Sequence, residues 1–155
     1  MHREVGVGAV RIRAATASDA VAIERLIAEL GYSVTGAGIE TRLDAIEAAG
    51  HSVLVAECDG AVIGCLSTSA MTVLHRPAPV GRISMMVVDE RYRGQGVGKQ
   101  LVAAAEQLLA DKGCQFVEVT SNLRRTDAHR FWKRIGYERT SARFAKRVSD
   151  FPVNR

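Results

Sequence analysis

Past its midpoint the chain reads Met85-Met86-Val87-Val88-Asp89-Glu90-Arg91-Tyr92-Arg93-Gly94-Gln95-Gly96-Val97-Gly98-Lys99-Gln100-Leu101-Val102. An apolar, strand-like run ends at Val88. A charged turn follows, then three alternating glycines, then an amphipathic helix. Such an order suits an anion cradle. Glycines let backbone N–H groups turn inward and approach a phosphate closely. The helix start adds unpaired N–H groups and the positive end of its dipole. Arg93 and Lys99 flank the loop with positive charge.

Two familiar phosphate loops do not fit. The Walker loop needs four residues between its glycines and then Gly-Lys-Ser/Thr; here one residue separates them and Gln100 follows Lys99. The dinucleotide fingerprint needs Gly-x-Gly-x-x-Gly, and here the third glycine, Gly98, comes one residue early. Five hydrophilic residues, Asp89 to Arg93, also separate strand from glycine. A nicotinamide- or flavin-binding role is disfavoured.

The loop does resemble the acyl-CoA signature of the GNAT superfamily of N-acetyltransferases, Arg/Gln-x-x-Gly-x-Gly/Ala. Arg93-Gly94-Gln95-Gly96-Val97-Gly98 carries glycine at both required places. A second segment follows in family order. Asn122 closes the next strand, and a helix with Ala128, Phe131 and Trp132 runs to Gly136-Tyr137. The likeness extends from about Arg11 to Val148.

The resemblance implies acetyl-CoA as co-substrate, no metal, and a primary amine of a small molecule or peptide as acceptor, attacked directly in a ternary complex. It implies that backbone N–H groups of Arg93, Gly94, Gln95, Gly96, Val97, Gly98 and Lys99 hold the pyrophosphate. The backbone of Met86, Val87 and Val88 would pair with pantetheine as an added strand does, an N–H near Val87 or Val88 polarising the thioester carbonyl. Asn122 and Phe131 complete the expected co-substrate site. It further implies a single α/β (α+β) domain over residues 1–155, with its core at about 10–148. The expected sheet is mixed and mostly antiparallel, with helices on both faces and a splayed parallel pair of strands at the acyl-CoA site. A homodimer is left open.

The chain departs from the family at the acid and base. Trp132 stands where many relatives carry a tyrosine acid, and indole N–H is a donor but not a practical acid. Ser84 stands where relatives often carry a glutamate base. Glu118, acting through water, is the remaining candidate for catalysis. These replacements make a CoA-binding module with impaired catalysis the alternative.

Composition agrees with one ordinary folded domain: 155 residues, almost half hydrophobic and a quarter charged. No apolar run approaches a membrane span, and no signal peptide is visible, so the expected location is cytoplasmic. Cys58, Cys65 and Cys114 have no metal-ligand spacing, and Cys58 and Cys65, on neighbouring strand-like runs, are expected to be reduced core residues. The net charge of +4 concentrates in the last third. Without interleaved aromatics or a recognition helix, this is better explained by a solvated face and CoA phosphates than by nucleic acid.

Periodicity places the elements. Val10–Arg13 reads as a strand. Thr16 and Ser18 offer caps to a helix bearing Ile23, Leu26, Ile27 and Leu30. Ser33–Gly38 reads as loop, and Ile39, Leu43 and Ile46 as a second helix. Ser52–Cys58 and Ala61–Ser69 form a hairpin through Asp59-Gly60. Gly81–Val88, helix Val97–Lys112, strand Gln115–Thr120, helix Asp127–Ile135 and a last strand Ser141–Val148 follow. In the long helix Val97, Leu101, Ala105 and Leu108 are expected on the apolar face.

Overall fold

The computed structural model describes residues 8–121 and 125–150. Asn122 therefore lies outside the described residues. The chain forms two compact units, divided between Val119 and Thr120.

The first unit is built on five strands in sequence order: β1 (Val10–Ala14), β2 (Ser52–Cys58), β3 (Ala61–Met71), β4 (Val80–Val88) and β5 (Phe116–Val119). The first three pairings are antiparallel and the last is parallel. The β2–β3 turn forms as the sequence implies. Asp59 and Gly60 take φ of 51° and 78°, the left-handed pair that a two-residue hairpin needs.

Helices cover both faces, as expected. On one face α1 (Ala20–Glu29) and α2 (Gly36–Ala48) cover a cluster of Ile23, Leu26, Ile39, Val55, Cys65 and Val87. On the other lies α3 (Val97–Asp111), burying Val97, Leu101, Val102, Ala105 and Leu109. Leu109, not Leu108, completes that stripe. Two glycines allow α3 to lie close. A Cβ on Gly64 would stand 3.0 Å from Leu101 Cδ1, and one on Gly81 would stand 2.9 Å from Leu109 Cδ1 and 3.1 Å from the Phe116 carbonyl.

Two expectations need correction. The segment Ser33–Gly38 is not all loop, because α2 already begins at Gly36. The Thr35 hydroxyl accepts the Gly38 N–H at 3.1 Å, so a local cap starts the helix despite its glycines. Ser141–Val148 is not a strand. It has no regular structure, and Phe144 and Val148 are exposed. Arg143, Lys146 and Arg147 crowd these eight residues, and Lys146 falls on the side of Phe144 and Val148, so neither side of the segment is continuously apolar.

The second unit contains α4 (Thr126–Arg134). Trp132 is its buried residue, edge-on to Phe131 and to Tyr137 with centroids 5.1 Å apart in each pair. The Tyr137 N–H closes the helix on the Trp132 carbonyl at 2.9 Å.

Candidate active site

The β4–β5 ladder is short. It runs from Val80↔Phe116 to Ile83↔Val119 and stops. Beyond Ile83, β4 keeps only β3 as a neighbour among the described residues, through Ser67↔Met85 to Gly64↔Val88. The β5 side of β4 is thus an open backbone edge from Ser84 to Val88, the splay expected from the sequence.

The Asp89 N–H donates to the Ile63 carbonyl at 2.7 Å, so the Asp89 peptide faces β3. Backbone groups along a strand alternate sides. Met85 and Val87 therefore also face β3, while Met86 and Val88 turn their N–H and C=O toward the opened gap. The Val87 side chain is buried in the cluster that α1 covers.

Past β4 the chain turns through a 3-10 turn, Glu90–Tyr92. Asp89 sets this turn. Its carboxylate accepts the Arg91 backbone N–H at 3.0 Å and the Arg91 guanidinium at 3.2 and 3.0 Å. The carboxylate is buried, and the Arg91 guanidinium holds it below the usual carboxylate range. Arg25 of α1 lies 3.7 Å from the same carboxylate and donates to the Val62 carbonyl at 3.1 Å. Arg93 donates from Nε to the Val88 carbonyl at 3.2 Å and lies 3.7 Å from Glu29 of α1. Two residues of α1, one helical turn apart, thus brace the strand end and the loop entrance.

The loop then delivers its glycines. Gly94 and Gly96 take φ of 76° and 82°, and a Cβ at either would meet open space. Glycine is needed at these positions for conformation, not for room. Gly96 is the N-cap of α3 and its carbonyl accepts the Gln100 N–H at 3.1 Å. The N–H groups of Val97, Gly98 and Lys99 fall in the first turn, where no helical acceptor exists. Glycine conformations, first-turn donors and the dipole of a fifteen-residue helix together fit a pyrophosphate.

The other candidates are placed as follows. Glu118 lies in β5, all four residues of which pair with β4, and stands opposite Arg82. Phe131 is half-buried in α4 of the second unit. Ser84 sits at a bulge: Ser67 pairs with Met85 and Thr68 with Ile83, so Ser84 has no partner in that ladder. Its hydroxyl is 2.6 Å from that of Ser67. Ser67 and Arg25 were not singled out from the sequence. For Ser67 the local signal is a run of three polar residues, Ser67-Thr68-Ser69, within an otherwise apolar strand. Cys65 is no nucleophile, since burial pushes its thiol up to about 12. Among the described residues no His, Cys, Asp or Glu are gathered as a metal would require. No described helix is long and apolar enough to cross a membrane.

Here a strand that outruns its parallel neighbour leads into a glycine loop and a helix N-terminus suited to an anion. The chain matches the acetyltransferase (GNAT) family over residues 7–137 and belongs to that family. It is 39% identical over 88 residues to an aminoalkylphosphonate N-acetyltransferase of Salmonella typhimurium, a match spanning 57% of each chain. It is 32% identical over 127 residues to an N-acetyltransferase of Chlorobaculum tepidum whose function is uncharacterized, covering 82% of this chain and 74% of that one. Among solved structures, an aminoglycoside N-acetyltransferase in complex with CoA shares the fold with a TM-score of 0.81 at 22% identity, over 92% of this chain and 96% of that one.

Proposed function

We propose that this protein transfers the acetyl group of acetyl-CoA to a primary amine, directly and without an acyl-enzyme. The observation that carries this reading is the open edge of β4. Its outward groups, on Met86 and Val88, stand just ahead of a loop shaped for pyrophosphate. The pantetheine arm is a short chain of amides, and an unpaired strand edge recognises amides by main-chain hydrogen bonds. A relative 39% identical acts on aminoalkylphosphonates, which supports a small primary amine as acceptor.

The roles follow from position. First-turn N–H groups of Val97, Gly98 and Lys99 hold phosphate oxygens. The outward Met86 or Val88 N–H donates to the thioester oxygen as it gains negative charge. The thioester supplies an activated acyl carbon. The amine lone pair forms the new C–N bond, the C–S bond breaks with its electron pair leaving on CoA as the thiolate, and the proton lost from nitrogen passes through water to that thiolate. Positioning supplies much of the rate. Asn122 and Phe131 are proposed contacts to the co-substrate. Glu118 is a proposed water-mediated base. We include in this reading one catalytic domain over residues 1–155, a cytoplasmic location, and no nucleic-acid or membrane partner.

The test is thiol release from acetyl-CoA over a panel of 2-aminoethylphosphonate, kanamycin, spermidine and an alanyl peptide. Amine-dependent release with an N-acetylated product by mass spectrometry is expected. CoA binding without turnover on any of these amines would reduce the protein to a binding module.

A further inference from the structure

Resting on that reading, we propose that the Arg93 guanidinium gates the acyl-donor edge of β4: it occupies the Val88 carbonyl and yields it only to a thioester that carries a diphosphate. Arg93 and Glu29 are then specificity-determining residues for the donor rather than for the amine.

One peptide fixes the geometry. The Asp89 N–H donates to the Ile63 carbonyl of β3 at 2.7 Å. In a trans peptide the carbonyl and the N–H point to opposite sides. The Val88 carbonyl therefore points away from β3 and into the opened gap, where a pantetheine amide would use it as an acceptor. That carbonyl is already engaged, because Arg93 Nε donates to it at 3.2 Å. The oxygen has a second lone pair, but an amide N–H brought to it would lie against the guanidinium, donor beside donor. While Arg93 holds this position, the edge offers both outward groups of Met86 and only the N–H of Val88.

The backbone of Arg93 is spent elsewhere. The N–H expected to hold a phosphate donates instead to the Glu90 carbonyl at 3.4 Å and closes the 3-10 turn. What Arg93 brings to the loop is its side chain. Besides Val88, that half-exposed side chain has Glu29 of α1 at 3.7 Å. A solvent-exposed ion pair of this kind is weak and readily exchanged. One peptide bond further on, Gly94 opens the loop shaped for pyrophosphate. A phosphate oxygen forms a charge-assisted bond with a guanidinium, about twice as strong as a bond between neutral groups and often bidentate. A diphosphate in the loop thus draws the guanidinium off the strand edge, and the freed Val88 carbonyl takes the amide. A thioester without phosphate has nothing to exchange for the guanidinium and meets a shortened edge. Glu29 opposes the exchange, since it holds the cation on the α1 side.

The experiment compares acetyl-CoA with acetyl-pantetheine, which has the same thioester and amides and no phosphate. It uses the full chain and the panel amine with the highest kcat/KM on the native protein. Arg93→Ala should lower kcat/KM for acetyl-CoA about tenfold, the scale of one lost hydrogen bond to a charged group. The same variant should raise kcat/KM for acetyl-pantetheine about threefold. Glu29→Gln should raise CoA affinity about threefold by calorimetry, the scale of an exposed ion pair. A merely structural brace predicts the opposite signs: Arg93→Ala would impair both donors, and Glu29→Gln would weaken CoA. Acetyl-pantetheine turnover that does not rise in Arg93→Ala overturns the gate, as does CoA affinity that falls or stays level in Glu29→Gln. No turnover of any panel amine with acetyl-CoA overturns instead the acetyltransferase reading, and CoA affinity in Glu29→Gln then decides the gate by itself.

Discussion

Leu109 occupies the place where Gly81 has no side chain: its Cδ1 lies 2.9 Å from where a Cβ would stand. The Phe116 carbonyl lies 3.1 Å from the same point. At Gly64 the closest atom is the tip of a side chain, Leu101 Cδ1 at 3.0 Å. A side-chain tip can shift, but a paired backbone carbonyl cannot without breaking its ladder. Gly81→Ala should therefore destabilise more than Gly64→Ala, by about 2–3 kcal/mol against about 1 kcal/mol, the range for overpacking. Urea unfolding of both variants checks the order.

At Gly96 the cost is of another kind. Its φ of 82° with empty space around the Cβ position predicts a strained but unobstructed alanine. Gly96→Ala should cost about 1–2 kcal/mol in stability. It should weaken CoA binding at least tenfold by calorimetry, as the strain tilts the first-turn N–H groups. A folded variant with native CoA affinity would remove the loop from the site.

Loop, helix α3 and the Asp59-Gly60 hairpin were legible in the sequence because each is a local pattern. So was the glycine signature. The open edge was legible only through family resemblance. Which residues face it depends on the phase of the β3–β4 ladder and on β5 ending its pairing at Val119, both long-range facts. The same holds for Ser84, whose bulge exists only relative to β3. The last expected strand failed for the opposite reason. Lys146 falls on the same side of the alternation as Phe144 and Val148, where a packed sheet face needs an apolar residue.

Two buried carboxylates predict how stability responds to acid. Asp19 is held by Arg13 at 2.8 Å through both oxygens, and Asp89 by Arg91. In each case the guanidinium holds the folded carboxyl below its usual range. The folded state then binds fewer protons than the unfolded chain. The stabilisation is fully present above the unfolded value of about 3.9 and is lost as pH falls through the folded value. Urea midpoints should stay level from pH 7 to about 5 and fall below about 4. Asp19→Asn should start lower, by about 2–3 kcal/mol, and fall less steeply.

Catalysis should respond to base. Glu118 lies in β5, paired with β4, and the indole N–H of Trp132 is a donor too weak to serve as an acid. The reactive amine is then the small neutral fraction in solution. kcat/KM should rise through pH 8 and follow the pKa of the amine, near about 10.4 for a lysine-type nitrogen. Trp132→Phe should keep kcat within tenfold, and Glu118→Gln should shift the profile only modestly. Profiles for two amines of different pKa, in native protein and both variants, provide the check. A common plateau near pH 6.5 that disappears in Glu118→Gln would make Glu118 the base.

The outward groups of Met86 and Val88 are main-chain atoms, identical for every residue type except proline. Substitution at these two positions alters packing on the sheet but not what the gap offers to an incoming amide. The sequence of this half of β4 can therefore drift while the pattern of donors and acceptors along its edge stays the same.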